Sequence, residues 1–272
     1  MSRSGIITLT TDFGLADPWV GVMKGVILGL FPAARIVDLT HQIPVHDVRA
    51  AAFALLDAVQ YFPPGTVHLA VVDPGVGSGR KALAAARDGQ FFVGPDNGVF
   101  SGFLPGEYVI ELNRPELFLP RVSHSFHGRD VFAPVAARLA AGKSLREFGS
   151  PLADPVMLDL PRAEKSGDTV RGEVVAVDRF GNLVTNIPER LLPPSPLSIE
   201  IAGETIPGLC RSYEDAAGGR ASAKAPTGRR DVPARCAALI GSAGRLEIAL
   251  PRGSAAELLR VGVGAKVAVK PG

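Results

Sequence analysis

The sequence predicts an α/β N-terminal domain on a mainly parallel sheet, followed by a smaller all-β domain. Three observations carry this. Through the first half, short apolar strands alternate with helical stretches, the pattern of strand-helix-strand crossovers and so of parallel pairing. A stretch punctuated by Pro151, Pro155 and Pro161 then interrupts all periodicity. Beyond it only short strands recur, separated by Gly and Pro, as in a small β-barrel or sandwich.

Taken in order, the first strand is expected at 6–11, leading into a loop that contains Gly, Asp and Pro. An apolar helix over 19–30 stops at Phe31-Pro32, because proline has no N–H to continue a helix; a strand at 34–39 follows. Asp47 is a plausible N-cap for an Ala-rich helix running through Gln60, which ends before the breaker Pro63-Pro64-Gly65 and the strand 67–72. Segments 82–86 and 90–93 flank Arg87-Asp88-Gly89 as a β-hairpin, laid after the loop 74–80. A helix at 131–141 closes the first domain. The expected organisation is therefore 1–150 as the α/β domain, 151–167 as linker and 168–272 as the β domain, with strands at 170–177, 197–201, 237–240, 246–250 and 266–269. Residues 213–234, rich in Gly, Ala and Arg without an apolar period, read as a long mobile loop.

Composition narrows the function. A chain of 272 residues, 46% hydrophobic, buries a large core without staples. Its formal charge is +2, and the basic residues are scattered rather than striped, so no nucleic-acid footprint is present. The most apolar window, 20–31, carries Lys24 and falls short of the ~20 residues a membrane span needs. The first apolar run, 6–10, is too short for a signal peptide and reads as a strand. Cys210 and Cys236 are the only cysteines, too few for a disulfide framework and at no metal-ligand spacing. These features point to a small-molecule partner and a reducing, cytoplasmic location.

Polar clusters fall where strands give way to loops, the usual place for ligands in α/β sheets. Asp12 follows the first strand and suits a ribose diol; an Asx-turn is the plain structural alternative. Asp12-Phe13-Gly14 matches the kinase magnesium string, but the rest of that motif set is missing. The Gly75 to Gly79 run lacks the Walker lysine and leads into a hairpin strand instead of a helix N-terminus, so it is not a phosphate loop. Its glycines instead permit a bend that returns Arg80 to Asp73, seven residues away, whether as a working pair or as a structural ion pair. His127 precedes Gly128-Arg129-Asp130 at a helix entry, where a histidine either works or caps. His124 and His127 with Asp12 and Asp73 offer nitrogen and oxygen ligands, but from separate segments, and no metal site is assigned.

The strings TTDFG, GTVHLAVVDPGVGSGR, FVGPDNGV, SFHGRDVFAP, VDRFGNLVTNI and GSAGRLEIALPRGSAA occur in this order. Together they resemble the adenosine-forming S-adenosylmethionine hydrolases, or SAM hydroxide adenosyltransferases, relatives of the fluorinases and chlorinases, over nearly the whole chain. The resemblance implies a barrel-like second domain and a homotrimer whose sites lie between one subunit's first domain and a neighbour's second. The implied reaction is attack of water or hydroxide on ribose C5′, giving adenosine and L-methionine, with SAM as substrate and no cofactor. It places Asp73, Arg80 and His127 on the water-activating triad and Asp12 on the acid that binds the ribose hydroxyls. Phe13, Asn97, Asp178, Phe180, Asn182, Ser242 and Glu247 join the expected substrate contacts. Halide-using relatives carry tyrosine, threonine and serine where this chain has Asp73, Val76 and Gly128, so halogenation is not expected. His46 stands where fluorinases place an aromatic residue, and the 213–234 segment is expanded. Two rival readings remain open at this level: a metal-dependent nucleotide phosphohydrolase using Asp12, Asp73, Asn97 and His127, and a non-catalytic SAM or adenosine sensor.

Overall fold

A computed structural model describes residues 3–194, 196–217 and 236–272, which divide at Leu160/Pro161 into two compact units. The first unit contains β1 (Ile6–Thr11), α1 (Trp19–Leu30), β2 (Arg35–Thr40), α2 (Val48–Ala58), β3 (Val67–Val71), β4 (Ala82–Arg87), β5 (Gln90–Pro95), β6 (Tyr108–Leu112), α3 (Ala133–Ala140) and β7 (Gly149–Pro151). Its sheet has the order β2-β1-β3-β5-β4-β6-β7. Pairing is parallel through β2, β1, β3 and β5, as the crossovers predict. The β4–β5 hairpin then reverses direction, and β6 and β7 extend the sheet antiparallel.

Helices cover both faces. Val20, Met23 and Ile27 recur on one side of α1 and are buried with Ile7, Leu9, Val71 and Phe132. On the other face, Leu55 of α2 packs with Phe92, Phe100 and Val72. Each such side chain taken fully out of water contributes about 1.5–3 kcal/mol. Asp47 caps α2, its Oδ1 accepting from Ala50 N at 2.8 Å. The helix expected at 131–141 begins earlier, as a π-helical turn over Gly128–Phe132 that leads into α3.

The second unit contains β8 (Glu164–Ser166), β9 (Thr169–Val177), β10 (Leu183–Pro188), β11 (Leu197–Ile201), β12 (Glu204–Pro207), α4 (Tyr213–Ala217), β13 (Ala237–Ile240), β14 (Arg245–Ala249), α5 (Ala255–Leu259) and β15 (Lys266–Pro271). All its pairings are antiparallel, in the order β12-β11-β15-β9-β10-β14-β13, with β8 added to β9. Beyond β12, Cys210 N donates to Ala238 O of β13 at 2.8 Å, which nearly closes the barrel. Alternate residues of β10 and β11 point inward, including Leu183, Ile187, Leu197 and Ile199.

The stretch expected to be one long loop from 213 starts instead as α4. Ser212 Oγ accepts from Asp215 N at 3.1 Å, and Glu214 and Asp215 occupy the first turn, where the helix dipole favours acids. The remainder of that expected loop, 218–234, lies outside the described residues. Among the described residues no helix is long and apolar enough to cross a membrane.

Candidate active site

Alternation along β3 sets the first catalytic candidate. Val67, Leu69 and Val71 face the α1/α3 layer, and Asp73, two residues past Val71, continues on that side. The chain then doubles back through Val76 N to Asp73 O at 3.2 Å and Ser78 N to Gly75 O at 3.1 Å. Gly77, at φ +77°, makes the reversal and presses against the backbone of His124. Arg80 thereby returns to Asp73: Nε donates to Oδ1 at 2.8 Å and Nη2 to Oδ2. The Asp73 and Arg80 side chains are only 5% and 11% exposed, so this is a forked, largely dry ion pair, the strong kind.

Nη2 of Arg80 also donates to His127 Nδ1 at 3.0 Å. The loop that carries His127 is braced by its buried acid, Asp130, whose Oδ2 accepts from Ser123 N and Oγ at 2.8 Å each. Burial pushes the Asp130 carboxyl up, but donors from Arg129 and Ser123 outweigh it and hold the group below its ordinary range. Burial, and then the charge of Arg80, push the His127 imidazole down, so the ring is neutral at neutral pH. Arginine has no acceptor. Nδ1 of the neutral ring must therefore be the lone-pair nitrogen, and the proton sits on Nε2.

Asp73, His127, Asp12 and Phe13 line one cavity of about 620 Å³. Asp12 Oδ2 accepts from His46 N at 2.9 Å; His46 reaches it with φ of +64°, a strained value for a residue with a Cβ. Phe126 forms an aromatic wall with Phe13 and Trp19, at centroid distances of 5.8 and 5.5 Å in edge geometry. Asp17, Ser123 and Ser125 also line the cavity and were not singled out from the sequence; the signal available for Asp17 was its place in the same strand-end loop as Asp12.

Other expected site residues lie elsewhere. Asn97 does not line the cavity. Its Nδ2 donates to Val72 O at 2.8 Å and its Oδ1 accepts from Val99 N at 3.2 Å, bracing the end of β3. In the second unit, Asp178 Oδ1 accepts from Phe180 N and Asn182 N, and Oδ2 from Asn182 Nδ2, all at 2.8–2.9 Å. That rigid turn presents Phe180, 76% exposed. Ser242 is exposed in the β13–β14 turn, and buried Glu247 accepts from Tyr213 Oη at 3.1 Å beside Gly241. A second hollow, of about 520 Å³, lies over β9, β11 and β15 and holds none of the expected site residues. Among the described residues no three His, Cys, Asp or Glu side chains gather to hold a metal ion.

An Asp-Arg-His cluster built on a nearly dry ion pair, with its Asp and His lining an aromatic-walled cavity and a fixed carboxylate at a neighbouring strand end, defines a small-molecule enzyme of the α/β class. The SAM hydroxide adenosyltransferase N-terminal domain profile matches residues 7–149, and the C-terminal domain profile matches 172–268. The chain belongs to the SAM hydroxide adenosyltransferase family. It is 39% identical over 280 residues, all of both chains, to a protein of Salinispora arenicola named (R)-S-adenosyl-L-methionine hydrolase. A Thermus thermophilus protein of the same name is 41% identical over 260 residues, 92% of this chain and 93% of that one. A crystal structure of an uncharacterized conserved protein from Thermotoga maritima superposes with a TM-score of 0.85 at 35% identity, over 97% of this chain and 99% of the other.

Proposed function

We propose that this protein is an S-adenosyl-L-methionine hydrolase in which water attacks ribose C5′ and displaces methionine. The observation that carries the reading is the Arg80 guanidinium, which holds two residues of the cavity wall, Asp73 with two N–H groups and His127 with a third. The new bond is O–C5′ and the breaking bond is C5′–S, whose electron pair neutralises the sulfonium. The leaving group is then a neutral thioether and needs no acid.

A positive charge about 4 Å from the water, at an effective dielectric near 20, is worth ~4 kcal/mol, or about three pKa units. Water starts at ~15.7, so it is not ionised beforehand, and its proton leaves during attack. The tautomer of His127 divides the work. Nδ1 is taken by Arg80, leaving Nε2–H as a donor to the water oxygen. Each Asp73 oxygen accepts one Arg80 N–H and keeps a second lone pair, so Asp73 accepts the proton; such general-base help is worth about 10²- to 10⁴-fold. A halide in the same place would face the Asp73 carboxylate, which favours neutral water as nucleophile.

Asp12, held by His46 N, binds the ribose hydroxyls, and Phe13, Trp19 and Phe126 enclose the apolar part of the substrate. Following the names of the curated relatives, the epimer consumed is the (R) form at sulfur. The reading extends to a cytoplasmic homotrimer in which a neighbouring copy contributes Asp178, Phe180, Asn182, Ser242 and Glu247; an aromatic as exposed as Phe180 on a stiff turn supports this. Metal independence belongs to the same reading. The test is turnover of each SAM epimer in oxygen-18 water, with and without chelator. The expected products are labelled adenosine and unlabelled methionine, unaffected by chelator. Unlabelled adenosine, or no turnover of either epimer, overturns the reading.

A further inference from the structure

The strand-end segment 11–14, which carries Asp12 and Phe13, is fastened to the β2–α2 connection by four hydrogen bonds. Gly14 N donates to His41 O at 2.8 Å, Ile43 N to Thr11 O at 3.4 Å and His46 N to Asp12 Oδ2 at 2.9 Å. The fourth joins Thr11 Oγ1 to His41 Nδ1 at 2.9 Å. Unlike exposed Gln42 and His46 in the same connection, His41 is buried, at 4%.

The far side of the His41 ring is anchored. Nε2 lies 3.0 Å from Asp38 Oδ1, an ion-pair distance, although the pair is not aligned as a good hydrogen bond. Asp38 Oδ2 accepts from Lys24 Nζ of α1 at 2.6 Å. Burial raises the Asp38 carboxyl, but Lys24 and His41 together hold it below its ordinary range, so it is an anion that favours the N–H end of the ring. In the neutral ring Nδ1 is then the acceptor, and the Thr11 hydroxyl donates to it. The same oxygen is left to accept from Phe13 N at 3.3 Å. A continuous chain thus runs from Lys24 on α1 through Asp38, His41 and Thr11 to the backbone beside Asp12.

We propose that His41 is a positioning residue for substrate recognition: it fixes Thr11, and through it the Asp12–Phe13 turn, in the geometry that engages the ribose hydroxyls, with Asp38 and Lys24 anchoring its ring. This rests on the assignment of Asp12 to the ribose given above. A merely structural histidine would change stability without regard to the substrate; a positioning one changes how well the enzyme distinguishes sugars.

The test compares kcat and KM for SAM and for its 2′-deoxyadenosyl analogue in the full-length wild type, Asp12→Asn, His41→Leu, His41→Asn and Asp38→Ala. In His41→Leu the KM for SAM rises about tenfold, the worth of one hydrogen bond to a charged group, while kcat changes little. The preference for SAM over the deoxy analogue narrows toward that of Asp12→Asn, and His41→Asn, which keeps an acceptor for Thr11, restores most of it. If Asp12→Asn narrows the preference and folded His41→Leu retains it in full, the inference is overturned and the reading of Asp12 stands. If Asp12→Asn itself leaves the preference unchanged, the ribose assignment fails and the inference with it. Asp38→Ala, at a 39% exposed side chain, carries the same test if His41→Leu does not fold: a narrowed preference supports the proposal, and an unchanged one overturns it.

Discussion

Gly77→Ala puts the site's geometry to a direct test. A Cβ at Gly77 would overlap the carbonyl oxygen of His124 and stand 3.2 Å from its carbonyl carbon. Both atoms are backbone, so no side-chain rotation relieves the contact. The φ of +77° adds a cost of roughly 1–2 kcal/mol for an L-residue, which in a chain of this size corresponds to a fall in Tm of roughly 2–8 °C. Relief of the overlap requires the Asp73–Arg80 loop to part from the loop that carries His127 by about 1 Å, a displacement able to lower a rate by about 10²-fold. The first contact to open is Arg80 Nη2 to His127 Nδ1, now 3.0 Å. Gly77→Ala is therefore expected to lose about 10²-fold in kcat, with KM nearly unchanged because Asp12 sits on a different loop. Gly79→Ala is the control: its Cβ would have nothing within 4 Å and its φ is not positive. The assay is chromatographic release of adenosine at saturating SAM, alongside a thermal melt. Wild-type kcat in Gly77→Ala would refute the claim that these two loops act as one unit.

Three further outcomes are expected. Arg80→Ala and Asp73→Ala each lower kcat by about 10²- to 10⁴-fold, and the double variant loses no more than the worse single one, because each residue orients the other; multiplicative losses in a double-mutant cycle would contradict this. His68 is fully buried against Phe92 and bonded to Thr8 Oγ1 at 2.8 Å, and burial pushes its imidazole down to about 4. Unfolding returns it to about 6.5, so stability is intact above that pH and falls by about 3 kcal/mol as pH drops from 6.5 toward 4. His68→Leu should flatten the Tm–pH curve in that window, and an unchanged slope would show that other groups govern acid unfolding. Asp47→Ala removes the α2 cap and should lower stability by about 1 kcal/mol, read from urea unfolding, with turnover retained.

Much of the fold is legible in local pattern. The helix from Trp19 to Leu30, the Asp47 cap and the hairpin around Asp88-Gly89 each follow from spacing or turn chemistry inside a short window. Elements that the window conceals owe their existence to partners. The three residues of β7 and of β8 have no apolar period, and they are strands because β6 offers a free edge and the start of β9, 169–171, extends past its pairing with β10. The α4 turn was hidden by the composition of the segment after it, although Ser212 and the acids that follow are helix-start signals. Ser254, three residues before Glu257, caps α5 at 3.1 Å, a helix-start signal that is legible in the local sequence.

The site divides in the same way. Asp12 and Asp73 at strand ends, and Arg80 returned by a glycine-rich bend, were determined by the sequence alone, since each depends on residues within about one turn or loop of itself. Only the tertiary structure decided that Arg80 also holds His127, which fixes that ring's tautomer, that Asn97 is spent bracing Val72 and that His41 supports Thr11. Those partners come from segments brought together by the sheet order β2-β1-β3 and by loop packing. The direction of a hydrogen bond depends on which atoms meet across that order, and no local period in the chain encodes it.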